Sequence, residues 1–308
     1  MKIFITGGTG FVGSYLTKGL ARMGHEVSVL TRSARPGGDL PEGVSFVEGD
    51  PRKPGSWQER VAEHNAVINL AGASIFTLWT EKARRAIIDS RVDTTRNLVD
   101  SLASAPKGIH LLSASAVGYY GGREDDAILD ETSFPGDDFL ARVGGRWEDE
   151  AGRARQYGAR VVLCRFGIVL GADGGALAKM VPAFKYCVGS PLGGGKQWFP
   201  RIHQKDLLSI MLFLLEKTHI TGPVNCTAPS PVRNKEMSEI LAKVLHRPLF
   251  MPAVPGFVLR TMLGEFGDVL LKGQRAIPRK LLDEGFWFAF PTFKEALEDL
   301  MGQAAKAT

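Results

Sequence analysis

The sequence is poor in cysteine, in long apolar runs and in blocks of like charge, and each shortage removes a class of protein. Three cysteines, Cys164, Cys187 and Cys226, stand apart among 308 residues. They have neither the paired spacing of a disulfide framework nor the clustered His, Cys and acid spacing of a metal site. They therefore read as small buried hydrophobes in a reducing compartment, and no metal is expected. The longest apolar run, Leu207 to Leu215 with Ser209 inside it, is about half of what a bilayer span needs and reads as a core helix. Met1-Lys2 leads straight into an apolar strand with no leader-like segment, so a cytoplasmic chain without membrane association is expected. The net charge is only +5, and no Lys/Arg block is interleaved with aromatics. That argues against nucleic acid and leaves at most a basic cleft for an anionic ligand.

Glycine is abundant, and its placement is informative. Ile3-Phe4-Ile5-Thr6 runs into Gly7-Gly8-Thr9-Gly10-Phe11-Val12-Gly13, after which Tyr15, Leu16, Leu20 and Met23 follow helical spacing to Gly24. A strand, a glycine turn and a helix in this order form a cradle for a dinucleotide. The pyrophosphate needs backbone N–H groups at close range and the positive end of a helix, and side chains at the turn would hold it away. Gly7 then allows the tight turn, Gly10 the approach of phosphate and Gly13 the packing of helix on strand, with Thr9, Phe11 and Val12 completing the contact set. The next strand, Glu26 to Leu30, ends in Thr31-Arg32-Ser33 with Arg35 behind it, where an NAD site usually carries Asp or Glu. A carboxylate would repel a 2′-phosphate. Arg32 can pair with it bidentately, and Thr31 and Ser33 add hydroxyls, so NADP(H) is the expected cofactor. Asp50 ends the following strand, where it can meet the adenine amino group or merely cap a turn. Asn69-Leu70-Ala71-Gly72 ends another, with small residues against which a ribose can lie.

Strand and helix patterns alternate through about the first 170 residues, with strands expected at 2–6, 26–30, 44–47, 66–70, 109–113 and 160–165. This pattern predicts an α/β fold, a doubly wound parallel sheet of the Rossmann kind carrying a small C-terminal substrate lobe. The nucleotide-binding part is expected to comprise residues 1–170 and about 205–228, and the substrate side 171–204 and 229–308. Glycine-rich stretches at 171–175 and 189–195 read as binding loops or lids.

The chain resembles a short-chain dehydrogenase/reductase of the extended, epimerase-like kind, and more closely the atypical branch labelled "epimerase family protein", with its small terminal domain of unknown function. The resemblance rests on the Gly7 to Gly13 loop, Asn69-Leu70-Ala71-Gly72-Ala73-Ser74-Ile75, Ser113-Ala114-Ser115-Ala116-Val117-Gly118-Tyr119-Tyr120-Gly121, and Arg165-Phe166-Gly167-Ile168-Val169-Leu170-Gly171. Ile202-His203-Gln204-Lys205-Asp206, Gly273-Gln274-Arg275-Ala276-Ile277-Pro278 and Gly285-Phe286 extend it to the C-terminal region. It implies NADP(H) contacts from Arg91, at the opening of a helix, from Ser113 and Arg165, and from the backbone of Ile168 and Val169. It also implies a relay in which Ser orients substrate, Tyr moves the proton and Lys four places on lowers the Tyr pKa.

Ser115 stands at the Ser position, just past a strand expected to end at Ser113. The rest of the relay is missing, since none of the five tyrosines has Lys four residues later. Aligning Trp147-Glu148 with the usual Lys-bearing helix puts Leu140 and Gly144 at the Tyr and Lys places. Tyr119 and Tyr120 are the nearest substitutes, and a pair packed under a loop is the plainer alternative. His203 more often makes a structural hydrogen bond at such a strand–helix junction. Two classes follow. One is an NADP(H)-dependent oxidoreductase or isomerase, a monomer or homodimer, acting on a small anionic or sugar-like substrate. The other is a catalytically silent NADP(H)-binding sensor.

Overall fold

The computed structural model describes residues 1–33 and 42–306, with side chains to residue 303; Arg35 lies outside them. The strands are β1 (Lys2–Thr6), β2 (Glu26–Thr31), β3 (Val44–Glu48), β4 (Ala66–Asn69), β5 (His110–Ala116), β6 (Ile128–Leu129), β7 (Arg160–Phe166), β8 (Ile168–Gly171), β9 (Trp198–Phe199), β10 (Arg201–His203), β11 (Gly222–Cys226), β12 (Val232–Arg233) and β13 (Arg275–Ala276). The helices are α1 (Phe11–Arg22), α2 (Trp57–Val61), α3 (Glu81–Ser101), α4 (Phe139–Gly152), α5 (Gly175–Lys185), α6 (Gln204–Glu216), α7 (Asn234–Val244), α8 (Gly256–Leu263), α9 (Glu265–Leu271), α10 (Arg279–Asp283) and α11 (Phe293–Lys306). Seven strands make one parallel sheet in the order β11-β7-β5-β4-β1-β2-β3. The order reverses beside β1 and β4, which puts the crevice for a ligand at their C-terminal ends.

Alternation along each strand decides what packs where. Ile3, Ile5, Val29 and Ile68 face one side and pack with Leu16 and Leu20 of α1 and with Leu207, Ile210, Met211 and Leu214 of α6. Phe4, Val67, Leu111 and Val161 face the other side and pack with Leu98 and Val99 of α3 and Ala151 of α4. The apolar run at 207–215 is thus a core helix, and no helix among the described residues is long and apolar enough to cross a membrane.

β5 runs past its expected end because its ladder with β7 continues to Ala116 opposite Phe166, so Ser115 sits inside a strand. Alternating Ser and Ala carry no turn signal that would have marked either boundary.

The C-terminal residues build a third core from Leu170, Leu177, Phe184, Met237, Leu241, Phe293, Leu297 and Leu300. It is tied to the sheet by Phe286 and Phe288, which enter the α6 side of the main core. The Asp206 carboxylate also accepts from the Ala289 and Phe290 amides at 2.9 and 3.1 Å.

Candidate functional site

The glycine turn has the shape that a pyrophosphate requires. Gly7 adopts φ +71°, and a Cβ there would stand 2.8 Å from the Ala71 nitrogen, so the turn is closed to any side chain. A Cβ on Gly13 would overlap the Gly7 carbonyl oxygen, which is why α1 can lie so close to β1. Gly10 differs from both. Its φ of −77° suits any residue, and a Cβ would meet only the Gly7 oxygen, at 3.4 Å. Thr9 and Gly10 are exposed, no side chain caps α1, and its first turn holds no acid. The helix therefore presents free N–H groups and an uncompensated positive end beside a space kept clear by the absence of side chains.

Phe11 turns away from this space. Cβ atoms on Gly171, Gly174 and Gly175 would come within 2.7–2.8 Å of its ring. The glycines after β8 thus answer the bulk of Phe11. The glycine at 189 likewise accommodates Phe184, and Gly193 accommodates Leu271.

At the end of β2, Arg32 is exposed, while the Thr31 hydroxyl bonds the Ser33 carbonyl and amide at 3.2 and 3.4 Å. The Asp50 carboxylate is held by Arg52 through Nε at 3.1 Å and Nη2 at 2.9 Å. That bond, with help from the charge of Arg32, lowers its pKa below the usual carboxylate range. Arg52 escaped the sequence reading. Its spacing two residues after Asp50, across Pro51, is the signal that could have found it.

Asn69 is wholly buried. Its Oδ1 accepts from Thr6 Oγ1 at 2.7 Å, and its Nδ2 donates to Thr95 Oγ1 at 2.8 Å and Ser113 Oγ at 3.2 Å. Trp147 Nε1 donates to the same Thr95 hydroxyl at 3.0 Å. The side chains of Asn69 and Ser113 thus lock β1, β4 and β5 to α3 and α4, and the backbone from Leu70 to Gly72 is what this strand end leaves for a ligand. Arg91 does not open a helix: Thr80 caps α3 ten residues earlier than expected, and Arg91 lies mid-helix. Its guanidinium rests against Gly72, where a Cβ would be 3.1 Å from Cζ, and 5.2 Å from the centre of the Trp147 ring. Burial alone pulls its pKa down to about 10, with no carboxylate opposing the shift.

Ser115, Arg165 and Tyr120 meet in a buried ladder built around Glu148, which the sequence reading used only as an alignment anchor. Ser115 Oγ donates to Glu148 Oε1 at 2.6 Å, and Arg165 grips both Glu148 oxygens at 2.8 Å. Arg165 also donates to the Tyr120 hydroxyl at 3.0 Å, and that hydroxyl donates to Asn225 Oδ1 at 2.7 Å. Tyr120 is 1% exposed, and burial pushes its pKa up to about 12. Tyr120 and the Arg165 side chain, expected at proton transfer and at the cofactor, are thus both engaged in a closed internal network. Tyr119, half-buried, stays outside it, with its ring 3.6 Å beneath the Arg165 guanidinium.

Leu140 and Gly144 of α4 face the one-turn helix Val117–Tyr120 that follows β5. A Cβ on Gly144 would lie 3.3 Å from Tyr119 Cα, so a side chain there would press on Tyr119. Ile168 and Val169 are half-buried in β8, paired with Arg201 and Ile202 of β10.

His203 caps α6, its Nδ1 accepting from the Lys205 amide at 3.0 Å, and it stacks on Phe290 with ring centres 4.0 Å apart. Burial pushes its pKa down to about 4, although Asp299 Oδ2 lies 3.2 Å from Nε2. The unfolded chain takes up this proton near pH 6.5 and the folded one only near pH 4. Stability should be complete above the higher value, fall by up to about 3 kcal/mol as pH drops between the two, and level off below. Urea midpoints across this range should show the slope, and His203→Asn, which keeps a capping side chain, should lack it. Among the described residues no cluster of His, Cys or acids could hold a metal.

Comparison with known proteins agrees with this geometry. Residues 3–226 match the model of the NAD dependent epimerase/dehydratase family, and residues 254–300 a domain of unknown function, DUF1731. The chain is 40% identical over 310 residues to the chloroplastic "Epimerase family protein SDR39U1 homolog" of Arabidopsis thaliana, covering 98% of this chain and 87% of that protein. It is 38% identical to "Epimerase family protein YfhF" of Bacillus subtilis, covering 98% of each. The crystal structure of human epimerase family protein SDR39U1 (isoform 2) with NADPH superposes with a TM-score of 0.85 at 33% identity, covering 98% of this chain and 99% of that one.

Proposed function

The chain belongs to the NAD-dependent epimerase/dehydratase family, and we propose that it is an NADP(H)-dependent, short-chain dehydrogenase/reductase-like oxidoreductase or isomerase that works on a small substrate without the Tyr-x-x-x-Lys relay. The observation that carries this reading is the open Gly10 face of an uncapped α1, with Arg32 exposed at the neighbouring strand end and no acid in its place. The backbone of Gly7 to Gly13 would hold the pyrophosphate, and Arg32 with Arg52 the 2′-phosphate. The Arg91 guanidinium, which donates to the Ile87 carbonyl and lies beside Gly72, would add charge near the ribose. When bound, the reduced nicotinamide supplies a hydride. The related human protein crystallised with NADPH supports the same cofactor.

Arg32→Glu puts a carboxylate where a second phosphate would sit, so it should weaken NADPH far more than NADH. Calorimetry with both nucleotides tests this, and equal weakening of both would count against it. A silent NADP(H)-binding sensor is the second reading. It is favoured by Leu140 and Gly144 at the proton-transfer positions and by the ladder that occupies Ser115 and Tyr120. Tight NADPH binding without turnover of any carbonyl would establish it.

A further inference from the structure

Resting on the NADP(H) reading, we infer that the electron acceptor is a planar conjugated dicarbonyl of the quinone class, not an isolated ketone, aldehyde or sugar. The inference begins with where protons are held. Hydride transfer to an isolated carbonyl leaves an alkoxide about as basic as hydroxide, with a conjugate pKa near 16, and needs an acid at the oxygen. Here Leu140 and Gly144 occupy the acid's place, the Ser115 proton is given to Glu148, and the Tyr120 proton to Asn225; Tyr119 stays outside that network, but it lacks the relay's lysine four residues on. Hydride transfer to a quinone leaves a phenolate-like anion with a conjugate pKa of about 10, which water can protonate. The acceptor gains two electrons and one proton, becoming the hydroquinone monoanion. The second proton comes from solvent, and the nicotinamide is left oxidised.

An aromatic cluster beside Leu140, built partly from the loop that follows the C-terminal end of β4, has matching chemistry. The loop after β4 carries Phe76 and Trp79, α4 opens on Phe139 next to Leu140, and α9 brings Phe266 from the C-terminal lobe. Trp79 lies 4.9 Å from Phe139 and 5.9 Å from Phe266, and Phe76 lies 5.5 Å from Phe266, measured between ring centres. Phe76 and Leu78 are 43% and 57% exposed, so the wall has an open apolar rim. Arg84 sits 4.6 Å from the Phe139 ring centre and Lys179 5.5 Å from that of Phe76. Flat conjugated rings stack on such a surface, and Lys179 favours the anion formed there, whereas Arg84 is already paired with Glu265.

Menadione is the probe. Calorimetry on protein saturated with NADP+, where no turnover occurs, should show menadione binding that Trp79→Ala and the exposed-site variant Phe76→Ala each weaken by about tenfold. The affinity for NADPH should stay unchanged in both. Menadione should also be reduced by NADPH at a rate nearly flat between about pH 6 and 9, as expected without a titrating acid. Three results would overturn the inference: NADPH bound while menadione is neither bound nor reduced, menadione affinity indifferent to both variants, or saturable turnover of an aldehyde or nucleotide sugar with a bell-shaped pH profile. Absence of NADPH binding would instead remove the cofactor reading on which it rests.

Discussion

Gly10→Val should cost NADPH binding a hundredfold or more, about 2.8 kcal/mol, while leaving the thermal unfolding midpoint close to that of the parent protein. The two halves of this expectation come from the same local geometry. Gly10 is an extended N-cap residue with φ −77°, so valine meets no backbone strain, and its Cβ would find only the Gly7 oxygen nearby, at 3.4 Å. The added methyl groups project into the space where phosphate oxygens must reach the first-turn N–H groups of α1. Gly13→Val is the contrasting control. Its Cβ overlaps the Gly7 carbonyl, so the fold itself should suffer. A calorimetric titration beside a melting curve separates the two, and unimpaired binding in Gly10→Val would refute the phosphate assignment.

Glu148→Gln should destabilise the protein by about 3–5 kcal/mol, read as a lower urea midpoint. Among the described residues Glu148 is the only carboxylate on the buried Arg165 guanidinium, and the pair is sealed at side-chain exposures of 8% and 4%. Burial works against the Arg165 charge, and Glu148 more than restores it, so that its pKa ends above the ordinary value. A neutral amide leaves that charge uncompensated and takes a strong acceptor from Ser115. Adding Arg165→Met to the Gln variant removes the stranded charge. The double variant should therefore be less destabilised than the sum of the two single changes. Additive losses would show that the pair is not coupled.

The parts of this molecule that could be read in advance are those governed by local spacing. Gly7, Gly10 and Gly13 report a turn, a close approach and a helix packing through their intervals, and the continuous apolar runs of β1 and β4 report a sheet covered on both faces. The ladder around Glu148 was illegible because its members, Ser115, Tyr120, Arg165 and Asn225, meet only after β5, β7 and β11 are laid side by side. Neighbours in sequence also diverge. Tyr119 and Tyr120 look equivalent in the chain, yet a single helical turn sends one into the core and leaves the other at its edge. Glycine records that a side chain is absent and not what fills the space. At 171–175 the occupant is the Phe11 ring. The family resemblance puts Arg91 at a helix start, whereas the cap of that helix is Thr80.

The most direct test is a calorimetric titration of the purified full-length protein with NADPH and, separately, NADH. Saturable binding of NADPH at near-unit stoichiometry, clearly tighter than NADH, is the expected result. Failure of both nucleotides to bind would contradict the assignment of the N-terminal glycine turn as a cofactor site, and with it the reading of the chemistry built upon it.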